Sequence, residues 1–480
     1  MLFNSIDFAI FLPVVFFLYW FVFRRSLRMQ NLFVVAASYL FYGWWDWRFL
    51  ILIIISTLTD YWVGLALKKA QDNDLTRRRL LLGSSFFVNL GMLGFFKYYN
   101  FFLDNFVTAF SFFGAEIQAQ GLNIVLPVGI SFYTFQTLSY TIDLYRKKIE
   151  PTRDLVAFAA FVSFFPQLVA GPIERASNLL PQFFKPRTFE YSKAVDGLRQ
   201  ILWGLFMKVV IADNCAVMAD RIFAAPHEYN GSAILLGSLF FAFQIYGDFA
   251  GYSNIAIGTA RLFGFHLMQN FAFPYFSRDI AEFWRRWHIS LSTWFRDYLY
   301  IPLGGSRVGT GMAIRNIFII FVVSGFWHGA NWTFIVWGAL NAIYFLPLFV
   351  LNRNRDHIEI VAKGKWLPSI NDAIKILITF GITLIAWIFF RAESVPHALL
   401  MINEIFSPTL FEHPGFRFYT LGTLLTFFMI IEWMGREWQY AIERFGFGWP
   451  KLLRRGFYFL LVMSIFLLGG KEQEFIYFQF

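Results

Sequence analysis

The stretches Asp279-Ile-Ala-Glu-Phe-Trp-Arg-Arg-Trp-His288 and Ser324-Gly-Phe-Trp-His-Gly-Ala-Asn-Trp332 frame the segment with the densest set of reactive side chains in the chain. An acidic residue at 279 with a second three positions later signals a helix N-cap, and Pro302 with the two glycines after Leu303 signals a stop. The spacing therefore predicts one helix of about five turns. Its apolar face carries, at steps of three and four residues, Trp284, His288, Leu291 and Phe295. This pattern is typical of a helix lying along the membrane interface.

The second histidine, His328, has different surroundings. It lies between the apolar runs 317–323 and 334–344, which places it at membrane depth, and its aromatic neighbours Phe326, Trp327 and Trp332 form a cage around it. A polar group at that depth costs free energy unless it is bonded or used. The sequence therefore indicates either a functional histidine or one that only bonds a neighbouring carbonyl.

Composition fixes the class of protein. Hydrophobic residues make up 58% of the 480, charged residues only 15%, and the mean hydropathy is +0.53. These values predict an all-α polytopic membrane protein in which residues 1–480 form one continuous transmembrane domain. Within it, residues 279–332 are the candidate active-site region.

The positive charges indicate an orientation. The net charge is +10, but Lys and Arg occur in short clusters between apolar runs, which argues against a nucleic-acid partner. The positive-inside rule places the basic loops at 24–30, 68–79 and 146–153 in the cytoplasm and the N-terminus outside. The single cysteine, Cys215, excludes an intramolecular disulfide and a thiolate metal cage, and we expect no metal.

Several polar residues lie inside apolar segments. A helix starting near Gly129 carries a polar stripe that includes Gln136, and a second apolar run holds Asp248 and Tyr252. The residues of the stripe either bond between helices or line a polar tunnel. Asp248 has either a site role or a structural ion pair with Arg261 or one of the interfacial arginines. The small residues that would let a neighbouring helix approach closely are Gly247, Ala250, Gly251 and Gly258.

Four segments together resemble the membrane-bound O-acyltransferases, in particular the bacterial branch that O-acetylates alginate and other cell-surface glycans. They are residues 282–305, 324–332, 244–258 and 164–175, and the similarity extends over nearly the whole chain. In that family the histidine at the position of His328 is regarded as catalytic, and the one at His288 as a second site residue. The resemblance implies a helical bundle with interfacial and re-entrant helices around a central tunnel.

The same resemblance implies a function. We expect transfer of an acyl group, here an acetyl group, from a cytoplasmic thioester such as acetyl-CoA or another acyl thioester. The expected acceptors are hydroxyls of an extracytoplasmic polysaccharide or cell-wall glycan, and no bound cofactor is expected. The family also implies a location in the bacterial inner membrane and a periplasmic or membrane-anchored partner protein. The aromatic tail at 475–480 is a candidate contact for that partner, or an interfacial anchor.

The residues permit this chemistry and exclude others. The chain has no Gly-x-Ser-x-Gly elbow, no Walker A loop and no His-Glu-x-x-His motif. A histidine without an adjacent nucleophile suits the task of a general base, so His328 is the candidate base and His288 a second catalytic residue. Asn331 or the backbone is the candidate oxyanion donor, and the tunnel candidates are Trp327, Asp248, Tyr252 and Gln136. The alternative function is a transporter or channel that uses the buried His, Asp and Gln residues as a proton-linked pathway.

Overall fold

The computed structural model describes residues 1–114 and 119–478, and the part it describes is helical and contains no strand. The helices are α1 (Ile6–Phe17), α2 (Leu27–Asp46), α3 (Leu50–Lys69), α4 (Leu75–Leu93), α5 (Tyr99–Phe112), α6 (Ile130–Tyr145), α7 (Leu155–Ser163), α8 (Phe165–Leu168), α9 (Ala176–Leu179), α10 (Tyr191–Leu205), α11 (Asp213–Ala224), α12 (Gly231–Leu262), α13 (Ile280–Arg286), α14 (Ile289–Phe295), α15 (Thr310–His328), α16 (Trp332–Val350), α17 (Ile370–Arg391), α18 (Val395–Ile405), α19 (Tyr419–Gly435) and α20 (Lys451–Leu467). The predicted all-α class is confirmed.

The described residues include seven helical stretches that are long and apolar enough to cross a membrane. Three of them are composite, and one of these has 34 residues from α10 through α11. The two longest have 43 residues from α2 through α3 and 38 residues from α4 through α5. One crossing takes about 20 residues, so each of these stretches is long enough for more than one. The chain is therefore a multi-pass membrane protein, as its hydropathy predicts.

The chain packs as two compact units. The first comprises residues 1–191 and 260–267, and the second comprises residues 192–259 and 268–480. This division describes local packing, and the expectation of a single family-type domain stays a prediction.

In the first unit, α6 packs against α3 and α4, and every residue from Ile130 to Leu144 is buried. Polar side chains at these contacts bond one another: Asn89 donates to the Asp60 carboxylate over 2.9 Å. The amide of Gln136, a tunnel candidate, donates over 2.6 Å to the carbonyl of Phe161 in α7. The structure thus gives Gln136 the interhelical hydrogen bond, one of the two roles expected from sequence.

In the second unit, small residues bring α10 and α12 close together, as predicted. A β-carbon at Gly251 would lie 2.8 Å from the carbonyl oxygen of Gly204, and one at Gly258 would lie 2.5 Å from that of Gly197. The backbones touch because neither helix has a side chain there. This approach positions α12, the helix that carries Asp248 and Tyr252.

Gly251→Ala is expected to lower the melting temperature of the detergent-solubilised protein, because the added methyl group must push α10 and α12 apart at a cost of about 1–3 kcal/mol. The matched control is Gly381→Ala in α17, where the methyl group would enter open space. Equal melting temperatures for the two variants would contradict the close helix contact.

Candidate functional site

His328 is the last residue of α15 and is only 3% exposed. Its imidazole is enclosed by rings on several elements. The distances from its ring centroid are 4.8 Å to Trp327, 5.2 Å to Trp337 of α16, 5.2 Å to Phe390 of α17 and 5.6 Å to Tyr477 of the C-terminal segment, residues 468–478. Aromatic rings thus enclose His328, as predicted, but of the three rings that the sequence indicated only Trp327 is among these four. Phe390 and Tyr477 come from distant parts of the chain.

His288 occupies a break between two helices. The single five-turn helix predicted for this region is wrong: α13 ends at Arg286, α14 starts at Ile289, and His288 between them has φ 43° and ψ 54°. This left-handed conformation is uncommon for a residue with a β-carbon and costs about 1 kcal/mol. The N-cap is as predicted, since the Asp279 carboxylate accepts a hydrogen bond from the Glu282 amide over 2.6 Å.

The break is explained by a polar contact from an earlier loop. The side-chain oxygen of Asn270 accepts from His288 Nδ1 over 3.0 Å and from Ser290 Oγ over 2.9 Å. The Asn270 backbone also bonds here, because its carbonyl accepts from the Ile289 amide over 2.9 Å. The amide nitrogen of Asn270 donates in turn to Ser253 Oγ on α12 over 3.1 Å. Asn270 therefore makes hydrogen bonds in place of those of an unbroken helix, and it links His288 to α12.

These bonds determine the chemical state of His288. Because the Asn270 oxygen is an acceptor, Nδ1 carries the proton, which makes Nε2 the acceptor nitrogen of the ring. Burial of the imidazole lowers the pKa of His288 to about 3, since the charged form cannot be hydrated there. The ring is therefore neutral at physiological pH.

The structure brings the two histidines to one site through shared aromatic walls. The Trp327 indole lies 6.1 Å from the His288 ring and 4.8 Å from the His328 ring. On another side, Phe249 packs 4.6 Å from His288 and 4.4 Å from Tyr477, which itself faces His328. We call the space bounded by these five rings the histidine site.

Sequence reasoning missed Tyr477 and its neighbours as parts of this site. The partner contact predicted for the tail at 475–480 stays a prediction. Phe475 and Ile476 are buried inside the second unit, which does not fit an interfacial anchor at these two residues. Gln479 and Phe480 lie outside the described residues. The signal in the sequence was the alternation of aromatic residues in a tail too short to span a membrane.

Two other candidates have structural partners. Asp248 does not pair with Arg261; it lies 2.8 Å from Lys208 Nζ, and it accepts a hydrogen bond from the Ile476 amide over 2.6 Å. Tyr252, one turn further along α12, packs 4.9 Å from Phe475. Both residues therefore contact the C-terminal segment that carries Tyr477.

Asn331 acts as a helix cap. Its side-chain oxygen accepts from the Thr333 amide over 3.0 Å, and its nitrogen donates to the Glu393 carbonyl over 2.9 Å. The expectation that this amide supplies an oxyanion donor finds no support in these contacts, because the side chain is engaged at both ends.

The three arginines at positions 285, 286 and 296 differ in their exposure and in their partners. Arg286 is buried and paired with Glu282 over 2.8 Å, so it belongs to the internal structure rather than to a lipid headgroup contact. Arg285 and Arg296 are exposed, and both line a cavity of about 940 Å³ beside α15 and α16. Other residues lining this cavity are Trp284, Ser324, Phe321 and Phe345.

Comparison with known proteins identifies related chains. Residues 57–390 match the membrane-bound O-acyltransferase family. The chain is 38% identical over 504 residues to the probable alginate O-acetylase of Pseudomonas putida, with 100% of both chains covered. It is 42% identical to that of Azotobacter vinelandii, covering 85% of this chain and 78% of the relative. The peptidoglycan O-acetyltransferase of Helicobacter pylori is 37% identical, with 84% and 79% covered.

Asn270→Ala should destabilise the protein by about 1–3 kcal/mol, because it leaves the His288 and Ser290 donors without their acceptor in a buried place. The measurement is thermal unfolding in detergent, compared with Asn73→Ala, a change at an exposed residue in the loop between α3 and α4. If both variants unfolded at the wild-type temperature, the hydrogen bonds of Asn270 to His288 and Ser290 would not stabilise the fold.

Proposed function

Because the chain belongs to the membrane-bound O-acyltransferase family, we propose that it transfers an acetyl group from a cytoplasmic thioester to a hydroxyl of an extracytoplasmic glycan. The observation that carries this proposal is the histidine site, where two buried imidazoles share the walls formed by Trp327, Phe249 and Tyr477. Such a dry, preorganised pair suits proton transfer during acylation.

The proposed reaction uses His328 as the general base. The imidazole takes the proton of the attacking hydroxyl while the oxygen forms a bond to the thioester carbonyl carbon. The carbon–sulfur bond then breaks, and the proton passes from the imidazolium to the leaving thiolate, so that the base is restored. Aromatic enclosure supports this role, because it excludes water that would hydrolyse the thioester.

His288 has a supporting role in the proposal. Its Nδ1 donates to Asn270, so its Nε2 can only accept a hydrogen bond, and the low pKa of His288 keeps the imidazole uncharged. It positions the donor or relays a proton, and the left-handed backbone at this residue is a strain that the fold maintains at the site.

The cavity beside α15 and α16 is the proposed entry for the donor. Its volume of about 940 Å³ is large enough for an extended thioester, and it combines apolar walls with the exposed Arg285 and Arg296. Arg285 also donates to the carbonyls of Asn354 and His357, and Arg296 pairs with Asp297 over 2.7 Å, which holds both guanidinium groups in place. Ser324, which lines it, lies one turn before His328 on α15. We therefore propose that phosphate groups of acetyl-CoA, or of a carrier-protein thioester, contact these arginines.

Alginate-type polysaccharide is the first acceptor to test, because several relatives at 38–42% identity are probable alginate O-acetylases. Peptidoglycan is the second, on the similarity to the Helicobacter pylori enzyme. In either case we propose that a periplasmic or membrane-anchored protein completes transfer to the polymer, and that the chain resides in the inner membrane. The transporter alternative is weakened, since Asp248 and Gln136 are both engaged in structural bonds.

His328→Ala and His328→Gln should each reduce acetyl transfer by about 10²-fold or more, because neither side chain accepts a proton at neutral pH. The assay is incorporation of labelled acetyl from acetyl-CoA into alginate by membranes containing the protein and its partner. His397→Gln, at a residue on α18 outside the histidine site, is the control. Activity retained by His328→Gln would leave this histidine a structural role only.

The proposed orientation places the loops around Arg77 and Lys147 in the cytoplasm. Single cysteines introduced there in a Cys215→Ala background should react with a membrane-impermeant maleimide only after the cells are opened. A cysteine at Trp47, in the turn between α2 and α3, should react in intact cells. The reverse labelling pattern would overturn the orientation.

A further inference from the structure

A buried charge cluster lies in the second unit, formed by Lys208, Asp213 and Asp248. The ammonium nitrogen of Lys208 is 2.8 Å from each carboxylate, and the three side chains are 7%, 2% and 3% exposed. The oxygens of the two carboxylates outnumber the three N–H donors of the ammonium group, so the cluster has more acceptors than donors. Burying such groups is costly unless every remaining donor and acceptor is satisfied.

The C-terminal segment, residues 468–478, supplies the missing partners. Lys208 donates a hydrogen bond to the Gln473 carbonyl over 3.1 Å, and Asp248 accepts one from the Ile476 amide over 2.6 Å. Lys208 thus makes an ion pair with each carboxylate and a hydrogen bond to the tail. Docking of the tail therefore gives both Lys208 and Asp248 a backbone partner.

Two further bonds fix the start of the segment to the same helices. The Gly470 amide donates to the Val209 carbonyl over 3.0 Å, and the Asn214 side chain donates to the Leu468 carbonyl over 2.8 Å. The segment is thus held along its length by residues 208–214 and by Asp248.

The docked segment delivers an aromatic ring to the histidine site. Tyr477 directly follows the residue bound to Asp248, and its ring packs 4.4 Å from Phe249 and 5.6 Å from His328. A shift of Ile476 would therefore move the Tyr477 ring away from His328.

We propose that Lys208 and Asp248 are positioning residues that dock the C-terminal segment so that Tyr477 closes one wall of the histidine site. This inference rests on the proposed function, since it makes the buried ion cluster a requirement for transfer. A charged acceptor forms a stronger and more directional bond to the Ile476 amide than a neutral one does, which suits a role in fixing position.

The test measures docking of the C-terminal segment and acetyl transfer separately. Ile476→Pro removes the amide hydrogen that Asp248 accepts without altering any spanning helix, and Asp248→Ala removes the acceptor itself. Glu474→Pro is the matched control, because it places proline in the same segment at an exposed residue. Asp248→Asn, which keeps an acceptor oxygen, is the conservative variant.

Hydrogen–deuterium exchange of each purified full-length protein, read by mass spectrometry, measures how well the backbone amides of residues 468–478 are protected. In the wild type and Glu474→Pro, we expect slow exchange in this segment. In Ile476→Pro and Asp248→Ala, we expect fast exchange, with Asp248→Asn, which keeps the acceptor oxygen but not its charge, in between. Acetyl transfer should fall on the order of tenfold or more in Ile476→Pro and Asp248→Ala and not in Glu474→Pro.

The outcomes separate the two proposals. If wild-type membranes transfer no acetyl group, the proposed function fails, while the exchange rates still decide whether the cluster docks the tail. Equal exchange of residues 468–478 in Ile476→Pro and the wild type would overturn the docking role. A released tail with unchanged transfer would overturn the role of the Tyr477 wall. Should Asp248→Ala fail to fold, Ile476→Pro alone decides, because its change lies outside the helices.

Discussion

The hydrogen bond between His288 Nδ1 and the side-chain oxygen of Asn270 is the contact on which the histidine site depends. It interrupts what would otherwise be one helix and holds His288 in the left-handed region. It also selects the tautomer, because the nitrogen facing Asn270 must carry the proton. Since Asn270 is tied to Ser253 on α12, the same contact sets the imidazole against Phe249 of that helix and against Trp327 of α15.

A second constraint is that polar groups inside a membrane protein must be satisfied by the protein itself. The chain meets it by close helix contact at glycines, by side-chain bonds such as that of Gln136, and by the ion cluster around Lys208. The last of these is completed by backbone groups of the C-terminal segment. A buried charge thereby becomes a means of placing a distant part of the chain beside the histidines.

Local patterns predicted much of the fold and part of the site. Hydropathy indicated the membrane class, the glycines of α12 indicated its close packing, and the 279–282 spacing indicated an N-cap, all of which the structure bears out. The break at His288 was not predictable, because the residue that causes it is 18 positions away and reads as an ordinary loop asparagine. The bond of Asp248 to the Ile476 amide joins residues 228 positions apart. The contact of Tyr477 with His328 also joins distant parts of the chain, and no periodicity reveals either contact.

We propose that acetyl transfer takes place between the two imidazoles, with His328 as the base. A cryo-electron-microscopy structure with an acetyl thioether analogue of coenzyme A, which cannot release its acyl group, shows directly where the acyl group binds. We expect the acetyl carbonyl to lie in the histidine site, with room beside it for a hydroxyl about 3 Å from a His328 nitrogen. An acetyl group bound where His328 cannot reach an attacking hydroxyl would rule out His328 as the base.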